Sequence, residues 1–93
     1  MLEEPLCDQE AKKLAANIVA SGTVFFSRHA RKEMTTDGVT EVEVIRALRG
    51  GRVELSELID GTWRYRQRAG DLCVVLAFRS DAALSIVTVW RVR

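Results

Sequence analysis

Residues 62–68 read TWRYRQR, and the alternation in that stretch decides the fold. Successive side chains of an extended strand point to opposite faces, so Trp63, Tyr65 and Gln67 share one side and Arg64, Arg66 and Arg68 the other. Turn signals bracket the strand, Asp60-Gly61 before it and Gly70-Asp71 after it. Upstream, residues 52–58 (RVELSEL) alternate again, with Val53, Leu55 and Glu57 opposite Arg52, Glu54 and Ser56, as in a half-buried edge strand. Downstream, residues 72–78 are apolar on both faces, and Ser80-Asp81 turns the chain into a last strand over 84–92. Four strands joined by short turns are expected to pair antiparallel in sequence order, the last two the most buried.

Before residue 52 the period is 3.6. Ala11, Leu14, Ala15, Ile18 and Val19 line one face of a helix over 9–21, with Asp8 as the expected N-cap and Gly22 as its stop. A β-prone run, Thr23 to Phe26, leads to Ser27, which is placed to cap a short helix from Arg28 to Thr35 closed by Asp37-Gly38. Thr40 and Glu43 form a capping box for a third helix whose apolar side is read as Val42, Ile45, Ala47 and Leu48, ended by Gly50-Gly51. The expected class is α+β: two to three N-terminal helices on a four-stranded antiparallel sheet. One domain is expected to span 1–93, with 1–8 disordered, 9–49 helical and 52–93 forming the antiparallel sheet.

Composition agrees with a single globular core. At 93 residues the chain buries roughly 60 to 65% of its unfolded surface. Its 47% hydrophobic and 29% charged residues exclude a disordered or fibrous chain. No run approaches the roughly 20 apolar residues of a membrane span, and the acidic start MLEEPLCDQE is unlike a secretory signal, so a cytoplasmic protein with no membrane partner is expected. Cys7, Cys73 and His29 have no metal-ligand spacing, so neither a metal nor another cofactor is expected. Ser/His/Asp order, nucleotide-binding glycine loops and paired catalytic carboxylates are all missing.

Charge is divided along the chain. Up to Gly61 there are 8 Lys/Arg against 11 Asp/Glu, net −3, whereas from Thr62 onward 6 Arg face 2 Asp, net +4. Either the sheet presents a surface to an anionic partner, or acidic helices face the basic sheet of the same domain. The stripe Arg64, Arg66, Arg68 spaces three guanidiniums about 6 to 7 Å apart, near the spacing of phosphates along a nucleic-acid strand. Such a stripe suits a phosphate backbone, and it equally suits a solvated outer face. Arg79, Arg91 and Arg93 extend the positive region if their strands bring them to the same side. Histidine is the residue type whose unperturbed pKa lies near neutrality, and His29 is suited either to proton transfer at a phosphodiester or to packing between helix and sheet.

Phe26-Ser27-Arg28-His29-Ala30 followed by Met34 and Gly38, then Trp63-Arg64-Tyr65-Arg66 and Val87-Thr88-Val89-Trp90, resemble an uncharacterised bacterial domain family. That family is grouped with the RelE-like toxins of toxin-antitoxin modules, and this chain is most similar to the MqsR-like branch from about Glu10 onward. The resemblance implies a curved antiparallel sheet under two or three helices and a metal-independent RNA endonuclease, with RNA and a cognate antitoxin from the adjacent gene as partners. It carries catalytic roles onto Arg52, Arg64 and Arg91. Cys73 stands where the branch has a functional tyrosine, which leaves Tyr65 as the substitute, and His29 or Tyr65 as the proton-handling group. Arg66, Arg68, Arg79 and Arg93 are then the expected RNA-binding residues. The competing expectation is a binding module on the same fold, for RNA or protein, without catalysis.

Overall fold

A computed structural model describes residues 2–92. Three helices and five strands run in the order α1 (Asp8–Ser21), β1 (Thr23–Phe26), α2 (Arg28–Asp37), α3 (Glu41–Gly50), β2 (Arg52–Ile59), β3 (Thr62–Ala69), β4 (Leu72–Ser80) and β5 (Ala83–Arg91). The fold is α+β, as expected, but the sheet has five strands and is mixed, in the order β1-β5-β4-β3-β2. β2 to β5 form the antiparallel meander, and β1 adds to it parallel to β5, with Thr23 opposite Ala83 and Phe26 opposite Ile86.

Helix ends follow the local chemistry. The Ser27 hydroxyl accepts from the Ala30 amide at 3.0 Å, and the Thr40 hydroxyl accepts from Glu43 while the Glu43 carboxylate returns a contact to the Thr40 amide. Gly38 closes α2 in the left-handed region, at φ 64°, which favours glycine. The cap of α1 is Cys7 rather than Asp8, and Asp8 becomes the first helical residue, where its charge suits the helix dipole. In α3 the buried side is Val44, Ala47 and Leu48, while Val42 points outward, because these three positions fall on the face that meets α1 and the sheet.

One sheet face packs on α1 and α3. Val53 of β2, Tyr65 of β3, Val74 and Leu76 of β4, and Leu84 and Ile86 of β5 join Ala15, Ile18, Val44 and Leu48 in one core. Gln67 is buried to 0% exposure in this face, and its amide nitrogen donates to the carbonyls of Ala47, Leu48 and Gly51 at 2.9, 3.1 and 3.4 Å. The Ala47 carbonyl also accepts from the Gly51 amide at 2.8 Å, so Gln67 adds to the backbone bonding that closes α3. A Cβ on Gly51 would meet the Ala47 and Arg68 carbonyl oxygens at 2.5 and 2.7 Å, so glycine permits this close approach of helix to sheet.

The expected alternation of β2 breaks at one point. A register shift between Val53 and Leu55 reverses the strand's phase: Val53 is 8% exposed on the helix face, whereas Leu55 is 42% exposed on the other face, opposite Arg66. Residues 2–7 lie against the packed part. Leu2 and Leu6 touch the core, and the Tyr65 hydroxyl donates to the Glu4 carboxylate at 2.9 Å and accepts from the Leu6 amide at 3.0 Å.

Candidate nucleic-acid interface

The sheet face turned away from α1 and α3 carries the arginines of β3. The strand alternation holds: Tyr65 and Gln67 are buried in the core, and Arg64, Arg66 and Arg68 stand on the open side. Pairing places Glu57 beside Arg64, Leu55 and Val75 beside Arg66, and Arg52 and Cys73 beside Arg68. Thr88 and Trp90 follow on β5, opposite Val75 and Cys73. Arg79 reaches the far end of the same face, its guanidinium 4.7 Å from the centre of the Phe25 ring.

Across the middle of this face runs a shallow groove of about 200 Å³. Leu55, Glu57 and Ile59 form one wall, Arg64, Arg66 and Val75 the floor, and Thr88 and Trp90 the other wall. The Nε atoms of Arg64 and Arg66 are buried there without a hydrogen-bond partner among the described residues. Among the described residues Arg66 has a single ion pair, 3.7 Å from Glu54, and Arg64 and Glu57 have none. Unsatisfied buried donors cost free energy unless something supplies an acceptor, so two guanidiniums poised this way favour an anionic or carbonyl-bearing ligand. No ring or guanidinium among the described residues stacks on Trp90.

α2 runs beside the stretch of β5 that β1 is too short to pair. Glu33 accepts from the Val89 amide at 3.3 Å and from the Thr88 hydroxyl, and it contacts His29 Nε2 at 3.1 Å. Asp37 approaches the Arg91 amide at 3.5 Å. Carboxylates of the helix thus take the place of strand carbonyls at this edge. His29 is exposed on α2 and reaches the groove through Glu33 and Thr88.

The expected catalytic set is therefore divided. Arg52 and Arg64 share the open face, with Arg52 at its rim in a 3.5 Å ion pair with Glu54. Arg91 lies on the helix side, 2.5 Å from Glu43 and 3.4 Å from Asp71. Its guanidinium holds the Glu43 carboxyl below the usual carboxylate range. Tyr65 lies on the core side of β3, so it does not meet Arg64. Arg66, Arg68 and Arg79 are on the open face, and Arg93 lies outside the described residues. Cys73 is buried beneath the arginines, and burial pushes its thiol up. Among the described residues no three His, Cys, Asp or Glu side chains gather as metal ligands, and no helix is long and apolar enough to cross a membrane.

Glu57, Thr88, Trp90 and Glu33 were not singled out from sequence. The bulge in β2 hid the face of Glu57, and Glu33 gains its place only from packing against β5. The alternation of Thr88 and Trp90 in Val87-Thr88-Val89-Trp90 was the one available signal.

What fold and face together define is an α+β domain with a bare, arginine-bearing sheet face. A family model described as a domain of unknown function (DUF4258) matches residues 26–91, and the chain belongs to that family. The match begins at Phe26, before the Ser27 cap, and closes at Arg91, after Trp90. No curated protein and no solved structure matches the chain.

Proposed function

We propose that this domain binds single-stranded RNA on its open sheet face, and that its relationship to the RelE-like toxins lies in that surface. The observation that carries the reading is that the buried Nε donors of Arg64 and Arg66 have no hydrogen-bond acceptor among the described residues, in a groove that an unstacked Trp90 also lines. Guanidiniums supply the charge for phosphates, and a half-buried indole on the groove wall supplies a platform for a base. Fluorescence anisotropy with a labelled single-stranded RNA tests it. The double variant Arg64→Gln, Arg66→Gln should weaken binding at least tenfold, while Arg91→Gln, on the other side of the sheet, should leave it within twofold. Equal affinity of wild type and double variant would remove the face from consideration.

A second reading adds cleavage: a metal-independent RNA endonuclease, the toxin of a bacterial type II module, acting in the cytoplasm. The line from His29 through Glu33 to Thr88 on the groove wall favours it, since it ends in a hydroxyl beside the phosphate-binding arginines. The nucleophile would be the 2′-hydroxyl of RNA, so DNA should resist. A cognate antitoxin would then cover the basic face. Incubation with messenger RNA in EDTA should yield discrete products that disappear in Arg64→Gln; intact RNA, with and without ribosomes, would leave binding alone.

A further inference from the structure

β2 is an edge strand, at the end of the order β1-β5-β4-β3-β2. The opposite border of the sheet is short: β1 has four residues, and beyond it carboxylates of α2 meet the β5 amides of Val89 and Arg91. β2 runs for eight residues, and among the described residues nothing but β3 hydrogen-bonds its backbone. Hydrogen-bonded and open pairs alternate along an antiparallel ladder, so every second residue of β2 turns its N–H and C=O away from β3. Such an edge accepts another strand.

The side chains along that edge decide which strand fits. Pairing with β3 puts Arg52, Leu55 and Glu57 on the open face, opposite Arg68, Arg66 and Arg64, and puts Val53 and Ser56 on the helix face, opposite Gln67 and Tyr65. Glu54 is the residue left over at the bulge. Read outward from Leu55, the strand is its own complement. Laid antiparallel against a second β2 with Leu55 opposite Leu55, it sets Ser56 opposite Val53 and Glu57 opposite Arg52, and a twofold axis repeats each pair on the other side. Leu55 is 42% exposed, so the central pair covers apolar surface that a single chain leaves in water. Among the described residues Glu57 has no ion pair, and Arg52 has one, 3.5 Å from Glu54, with its side chain 77% exposed. Both charges are therefore available to a second chain. Moving the axis to Glu57 sets that carboxylate against its own copy, and moving it to Ser56 sets Glu57 against Leu55 and Arg52 against Ile59.

We infer that β2 pairs with the β2 of a second copy of this chain, in a dimer where Arg52 and Glu57 join on both sides of a central Leu55 pair. The axis stands perpendicular to the sheet, so the two open faces look the same way and form one continuous surface. The inference uses only the strand edge and stands apart from RNA binding. A single strand pair is small beside the interfaces of stable dimers, so monomer and dimer should exchange with a dissociation constant on the order of 10 μM.

Sedimentation velocity of the intact chain, from about 1 μM to about 500 μM, tests it. Wild type should pass from monomer to dimer across that range. Arg52→Glu and Glu57→Arg each bring like charges together twice, and each should weaken dimerisation at least tenfold. An equimolar mixture of the two should dimerise again, because each chain then meets its opposite charges. The double variant Arg52→Glu, Glu57→Arg keeps the net charge and should dimerise within about threefold of wild type. Both positions are exposed, and circular dichroism checks that the variants keep the fold. A wild type that stays monomeric at the highest concentration would overturn the inference. So would a dimer that tolerates both single variants, or single variants that neither mixing nor the double exchange restores.

Discussion

Tyr65 shows how a single side chain changes meaning with the face it occupies. Its ring packs in the core, 5.2 Å from the Phe78 ring centre, and its hydroxyl is shared between Glu4 and the Leu6 amide. Replacement by Phe leaves that carboxylate and that amide without their partner, and should cost about 1 kcal/mol in urea unfolding. RNA binding by the open face should be unchanged in the same variant. Burial, reinforced by Glu4, pushes the phenol up to about 12 from its ordinary 10.0. Between those values the unfolded chain holds fewer protons than the folded one. The contribution of Tyr65 is therefore complete below the lower value and is lost as pH rises toward the upper one. Alkaline unfolding curves should be flatter for Tyr65→Phe over that window; an identical slope in both proteins would show that Tyr65 is not the titrating group.

At the level of elements, alternation placed β3 correctly and misplaced half of β2. Trp63 to Arg68 reads cleanly because nothing interrupts its pleat, so the helix face and the arginine face were both legible in seven residues. In β2 the extra residue at the bulge shifts every later side chain to the other face, and no residue type at Glu54 announces it. Two substitutions separate the alternatives. Val53→Ala, in the core, should destabilise by about 2 kcal/mol, whereas Leu55→Ala, on the open face, should stay within about 0.5 kcal/mol. Comparable losses at both positions would restore uninterrupted alternation. β1 was visible as a β-prone run, yet its membership in the sheet depends on a parallel partner sixty residues onward, a pairing that no local pattern encodes.

Across the whole molecule, charge is sorted by face rather than merely by half of the chain. Arg91 from the basic half is drawn to Glu43 from the acidic half on the helix side, so part of the asymmetry is satisfied internally. Arg64, Arg66, Arg68 and Arg79 remain on the open side, which makes the excess directional. If three of them meet phosphates, the logarithm of RNA affinity should fall against the logarithm of salt with a slope of about −2, and Arg64→Gln should reduce that steepness by about 0.7. A slope near zero would mean that the face holds its ligand without phosphates. The strand order has a separate consequence, for biosynthesis. β5, the last of the five strands in chain order, is an interior strand that lies between β1 and β4. Until the ribosome has delivered residues 83–91, β1 has no neighbour, β4 has an open edge, and α2 has nothing to cover. The nascent chain can assemble its helices and its first hairpins, but the groove wall that carries Thr88 and Trp90 arrives with the final residues of the fold.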